Sequence, residues 1–107
     1  MTDATVHVEE IGATALRVTV GGEIDLANSS DVEQQILEAI SNQLIEVTVD
    51  LRDVEYIDSA GLRVLFTLGT RLATLQIALV LLVATESPIR RVLEVSGVTA
   101  SIPTRPA

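Results

Sequence analysis

The chain has no cysteine, no tryptophan and no lysine; its only histidine is His7 and its only aromatic residues are Tyr56 and Phe66. Each gap excludes some chemistry. Without cysteine there are no disulfides and no thiolate metal sites, and with His7 alone a metal cage would have to be built from oxygen. The missing cysteine also suits a reducing compartment. Without lysine there is no P-loop lysine, no Schiff base and no Ser–Lys dyad. With so few rings, a core has to be aliphatic. The sequence supplies one, since 48% of its 107 residues are hydrophobic, mostly Val, Ile, Leu and Ala. A chain of this length fits one domain that buries roughly two thirds of the surface its unfolded form exposes.

Charge is one-sided. Fifteen acidic residues oppose seven cations, all of them arginine, for a formal net charge of −8. Nucleic-acid contacts need cations, so no direct nucleic-acid binding is expected. The excess of acid suits a partner with a basic face. No N-terminal apolar segment resembles a signal peptide. Residues 62–84 are rich in Leu, Val and Ala, but Arg63, Gly69, Arg71 and Gln76 interrupt them, which is too polar for a membrane-spanning helix. The chain reads as a cytoplasmic protein with no membrane contact.

Hydrophobic periodicity predicts the order of elements. Val6 and Val8, then Leu16, Val18 and Val20, alternate with polar residues around Glu10-Ile11-Gly12-Ala13, the pattern of an N-terminal hairpin. Gly21-Gly22 and Glu23-Ile24-Asp25-Leu26 follow as a strand end or short strand. Ser30 with Glu33, or equally Asn28 with Asp31, has the spacing of a capping box. Val32, Ile36, Ala39, Ile40 and Leu44 share one helical face, so a helix is expected near 29–41. Ile45 to Leu51 alternates as a strand that ends at Asp50 in a charged turn, and Tyr56-Ile57 is a short extended stub.

A second helix is expected from Ser59 or Ala60 through Leu72. Gln76 to Ala84 is a nearly continuous aliphatic run, typical of a strand buried on both faces. Thr85 to Pro88 opens a third helix, with Pro88 near its first position and Gly97 stopping it. Val98 to Ile102 is expected as a last short strand, followed by a tail over 103–107. Alternating strands and helices imply right-handed crossovers. The expected fold is therefore a single α/β domain, core about 6–102, with a mixed, mostly parallel sheet of 4–5 strands and about three helices.

Three chemistries compete for the segment Asp50 to Gly61. A serine hydrolase elbow requires Gly-x-Ser-x-Gly. Here Ile57 stands where the first glycine should be, and His7, on the first strand, is the only base on offer. A phosphoaspartate at Asp50 requires an acidic pair for Mg²⁺ and a lysine. Asp50, Asp53 and Glu55 read more simply as a solvated acidic turn. The third reading concerns Ser59, at a strand-to-helix junction where a hydroxyl is exposed by geometry. A phosphate there would meet free N–H groups and the positive end of the helix dipole. It would add about −1.5 to −2 charge beside Asp58 and repel an acidic or apolar partner surface. The residues alone favour a commoner role for Ser59, that of a plain helix N-cap.

Gly22-Glu23-Ile24-Asp25, Val49-Asp50-Leu51 with Tyr56-Ile57-Asp58-Ser59-Ala60-Gly61-Leu62, and Ser87-Pro88 through Gly97 together resemble the STAS domain family, in its bacterial anti-sigma factor antagonist group. The resemblance runs from about Val6 to Ile102. It implies an antagonist that binds an anti-sigma factor which is also a serine kinase, and so releases a sigma factor. The kinase phosphorylates the antagonist with ATP and ends binding, and a PP2C-type phosphatase resets it. Carried over, Ser59 is the phosphoacceptor. Asp25, Asp58, Ser59, Ala60 and Gly61 form the partner-binding pole, with Gly61 permitting close approach in the first helix turn. The domain is then a substrate with no cofactor of its own, not an enzyme.

Two departures from the family pattern stand out. Arg71 to Gln76 lacks the usual glycine-rich turn. A further helix beyond the last strand is absent or minimal, which would leave apolar surface for a homodimer. Related domains also serve as non-switching adaptors in stress-signalling complexes or lipid transporters. Those members often carry Thr at the serine position.

Overall fold

The computed structural model describes residues 3–106. β1 (Ala4–Ile11) and β2 (Ala15–Ile24) pair antiparallel, with Val6 opposite Val20 and Val8 opposite Val18. α1 (Ser29–Ala39) leads to β3 (Glu46–Ile57), α2 (Ser59–Thr74) to β4 (Ala78–Val83), and the short helices α3 (Arg90–Val95) and α4 (Val98–Ser101) to β5 (Thr104–Pro106). The five strands lie in sequence order, and all pairs after the hairpin are parallel. Each crossover joins neighbouring strands and steps in the same direction. Right-handedness therefore places the helices on one face.

That face holds the aliphatic core. Leu16, Val18 and Val20 of β2, Val47, Val49 and Leu51 of β3, and Leu79, Leu81 and Val83 of β4 point into it. Val32 and Ile36 of α1 and Val64, Leu65, Leu68 and Leu72 of α2 close it from above. Each such Leu or Ile contributes on the order of 2 kcal/mol by leaving water. Among the described residues no helix is long and apolar enough to cross a membrane.

The expected hairpin and the helices near 29–41 and from Ser59 are present, and three elements differ from expectation. β3 does not end at Asp50; it runs on to Ile57 and includes the supposed charged turn. The reason is irregular pairing with β2 between Thr19 and Gly21 and again between Gly22 and Glu23. At each place β3 carries one residue more than its partner, a bulge. The inward positions therefore step from Leu51 to Val54 to Ile57 by threes, and the period of two disappears from the sequence.

Val98 to Ile102 does not form a strand. Val98 and Ile102 lie four apart and are both buried, which is the spacing of one helical turn, and Ile102 N–H donates to Val98 C=O at 2.8 Å. The last strand is instead Thr104–Pro106, inside the stretch expected as a tail. Prolines fit there because β5 is an edge strand, paired only with β4.

Neither capping box forms at α1. The Asn28 side chain makes no cap hydrogen bond to the helix; it turns back, its Oδ1 accepting from Asp25 N–H and its Nδ2 donating to Glu23 C=O. The α2–β4 connection lacks glycine, as the sequence shows, and Gln76 takes the left-handed position at φ 60°.

Candidate functional site

Three segments converge at the C-terminal ends of β2 and β3: the β2–α1 loop, Asp58, and the first turn of α2. Asp58 N–H donates to Ile24 C=O at 3.1 Å, which docks the end of β3 on the end of β2. Its side chain then caps α2. Oδ1 accepts from Ala60 N–H at 2.9 Å and Gly61 N–H at 3.1 Å, while Oδ2 accepts from Leu26 N–H at 3.2 Å. One half-buried carboxylate thus ties the helix to the neighbouring loop. Asp25 shapes that loop from the other side: its Oδ1 accepts from Ala27 N–H at 2.9 Å and its C=O accepts from Ser29 N–H at 2.8 Å.

The cap position of α2 goes to Asp58, not to Ser59. Two adjacent residues, Asp58 and Ser59, are both good N-caps, and Asp58 holds the position, with extended backbone at φ −105° and ψ −171°. Ser59 is the first helical residue. It is exposed, and its hydroxyl makes no hydrogen bond among the described residues. Ala60 is half-buried beside it, and Gly61 faces inward. A Cβ on Gly61 would lie 2.5 Å from Ile57 Cγ1 and 3.0 Å from Ile24 Cγ2. Asp58→Ala should therefore cost about 1–2 kcal/mol by urea unfolding, because it frees two helix amides and one loop amide. Asp58→Asn, itself a good cap, should cost less.

The expectation of several free N–H groups waiting for a phosphate is corrected by this geometry, which leaves only the Ser59 amide of the first turn without a bond among the described residues. The amides of Ala60 and Gly61 are taken by Asp58 Oδ1, and Leu62 N–H donates to Asp58 C=O.

Sequence reasoning missed Leu26. It is 80% exposed, on the loop held by Asp58. It lines a groove between α1 and α2 together with Ser30, Glu33, Ala60 and Arg63. The only available signal was an apolar residue placed after Asp25, where the strand pattern had already ended. Tyr56, at the end of β3, is also half exposed, at 51%.

The competing chemistries have no support here. His7 lies in β1 opposite Thr19, and among the described residues no hydrogen bond links it to Ser59. Asp50 is not in a solvated turn but mid-strand and 3% exposed. Arg52 Nε donates to both its oxygens at 3.0 and 3.1 Å and Arg52 Nη2 to Oδ2 at 2.7 Å, with Arg17 at 3.9 Å. Arginines, not a second acid, surround it.

The Arg52 hydrogen bond holds the Asp50 carboxyl below its ordinary value of 3.8, against the opposing effect of burial. A depressed carboxylate stabilises the fold above its unfolded pKa, and that stability is lost as pH falls through the folded value. Asp50→Asn should thus cost about 1–2 kcal/mol at neutral pH, a figure reduced for the partly exposed arginines. Wild type and variant should converge in urea melts as acid protonates the Asp50 carboxylate in the folded state.

Taken together, the geometry defines a small α/β domain that presents a capped helix start, an exposed serine and an apolar loop residue at one pole. The chain belongs to the STAS domain family, whose family model matches residues 5–107. It is similar to the anti-sigma-F factor antagonist RsfB of Mycobacterium tuberculosis, with 34% identity over 61 residues. That match covers 57% of this chain and 49% of RsfB, so the similarity spans about half the length of the curated relative.

Among solved structures, an anti-sigma factor antagonist from Mycobacterium paratuberculosis superimposes with a TM-score of 0.85 at 25% identity, covering 98% of this chain and 87% of that one. The anti-sigma factor antagonist SpoIIAA in its unphosphorylated form shares the fold at a TM-score of 0.76 and 17% identity, over 94% of this chain and 88% of that one. The Bacillus cell fate determinant SpoIIAA in its phosphorylated form shares it at 0.70 and 18%, over 94% and 91%. These named relatives are regulatory antagonists, not enzymes.

Proposed function

We propose that this chain is a cytoplasmic, phosphoregulated anti-sigma factor antagonist with Ser59 as its phosphoacceptor. One observation carries the reading: Asp58 caps α2, so the Ser59 hydroxyl is exposed and uncommitted. A serine that served as the cap would be occupied. The unmodified pole of Asp25, Asp58, Ser59 and Ala60, seated on Gly61, docks on an anti-sigma factor that is also a serine kinase and frees the sigma factor. In the kinase reaction Ser59 Oγ attacks the γ-phosphorus of ATP held by the kinase. The new O–P bond forms as the bond to the β,γ-bridging oxygen breaks; ADP leaves, and the hydroxyl proton passes to a base on the kinase. A PP2C-type phosphatase hydrolyses the ester and restores the hydroxyl. The existence of SpoIIAA in unphosphorylated and phosphorylated forms on the same fold supports this reading.

The test begins with capture of binding partners by the unmodified full chain, identified by mass spectrometry, followed by addition of ATP. A sigma-factor inhibitor with kinase activity should be captured, and one phosphate should appear on Ser59. Phosphate on Ser59→Ala would refute the site. Capture of transporter or scaffold subunits, with no kinase, would replace the proposal with the non-switching adaptor role.

A further inference from the structure

We infer that Arg63 holds the phosphate of phosphorylated Ser59, so that modification closes the groove between α1 and α2 as well as adding charge. The inference rests on Ser59 being the phosphoacceptor. Its starting point is that the helix start has little left to offer an anion. Asp58 Oδ1 already takes the amides of Ala60 and Gly61, and the Leu62 amide is bonded within the helix. The nearby acids Asp58, Asp25 and Glu33 all oppose added negative charge. A dianion here therefore needs a cation.

Arg63 is placed to supply it. It stands four residues after Ser59 in the unbroken helix Ser59–Thr74, so the two side chains rise from the same face with Cβ atoms about 5–6 Å apart. Arg63 is exposed and makes no ion pair among the described residues. Other arginines are committed or remote: Arg17 and Arg52 face Asp50, Arg90 faces Glu94, and Arg71 lies two turns further along α2. Arg63 also lines the groove shared by Leu26, Ser30, Glu33 and Ala60. A guanidinium binds phosphate through paired N–H donors. Swung toward position 59, it lays its stem across Ala60 and over the mouth of the groove. Leu26 then loses its open approach, and a partner meets both a dianion and a covered apolar contact.

The experiment uses the full chain with phosphoserine inserted at position 59 during translation, so no kinase is required. The phosphate is titrated by phosphorus NMR in wild type, Arg63→Gln and Arg63→Lys. A free phosphoserine loses its second proton near pH 6. An adjacent guanidinium favours the dianion, so Arg63→Gln should raise that pKa by at least about 0.5, with Arg63→Lys in between. Salt at about 1 M should shrink the gap. Wild type and Arg63→Gln titrating together, or a gap indifferent to salt, would overturn the clamp. Because Arg63 is exposed, the unmodified variants should melt like wild type. A flat titration would leave the kinase reaction untouched, since that is judged by partner capture and the phosphate on Ser59.

Discussion

Gly61→Val is expected to cost the fold about 3 kcal/mol or more in urea unfolding, and Gly61→Ala roughly half as much. The helix position itself is ordinary, and glycine is the poorer helix former by up to about 1 kcal/mol. Propensity alone therefore predicts that both changes stabilise. Packing decides otherwise. An added Cβ meets Ile57 Cγ1 at 2.5 Å, Ile24 Cγ2 at 3.0 Å and Ile24 C=O at 3.1 Å. Ile57 and Ile24 are 4% and 2% exposed, so neither has room to retreat. Valine then adds two methyl groups to an already closed space. The helix can relieve the clash only by lifting off the ends of β2 and β3, which breaks the Asp58 hydrogen bonds and displaces Ser59. Partner binding should fall with stability. Full stability in Gly61→Val would mean that α2 does not start as close to the sheet as described.

Ser59→Asp is expected to weaken partner binding at least about 100-fold while leaving the melting temperature within a few degrees of wild type. The two halves of that expectation have separate causes. Position 59 is exposed and follows the cap, and an acid in the first turn of a helix is favoured by the dipole, so the fold tolerates it. The partner does not, because a new carboxylate beside Asp58 must be desolvated in the contact. Like-charge or unpaired burial costs several kcal/mol, and about 2.7 kcal/mol already corresponds to 100-fold. Ser59→Ala should bind as wild type and accept no phosphate. Titration calorimetry against the captured partner measures both. Equal binding by Ser59→Asp and wild type would place the contact surface elsewhere.

Much of the fold was legible in the sequence because most elements bury one regular face. β2 shows a clean period of two, α1 and α2 a period near 3.6, and β4 a solid aliphatic run. The failures have local physical causes. In β3 two bulges replaced the regular alternation with steps of three, so a strand of 12 residues looked like a shorter one and a stub. In α4, Val98 and Ile102 satisfy a helical turn as well as a strand, and Gly97, at φ 90°, turns the chain into the helix. In β5, Pro106 and the preceding Pro103 masked an edge strand of three residues. At the site, the motif located Ser59 correctly at the start of α2. It could not divide the capping role between Asp58 and Ser59, since both residues favour that position and only the hydrogen bonds distinguish them. Leu26 carried no signal because exposure of a single apolar residue leaves no periodic trace.

The bulges in β3 have a consequence for how this segment can change over generations. Arg52, Asp53, Glu55 and Tyr56 are all exposed, so their identities are under little packing pressure. The number of residues between Leu51 and Ile57 is another matter. Losing or gaining one would turn every later side chain of the strand to the opposite face, sending Ile57 outward and aiming Asp58 away from both the helix and the loop it joins. Descent should therefore permit free spelling at Asp53, Glu55 and Tyr56, with Arg52 held by its bonds to Asp50 and Val54 by its burial, and no change of length. A pair of compensating changes, one at each bulge, would be the shortest neutral route around that rule.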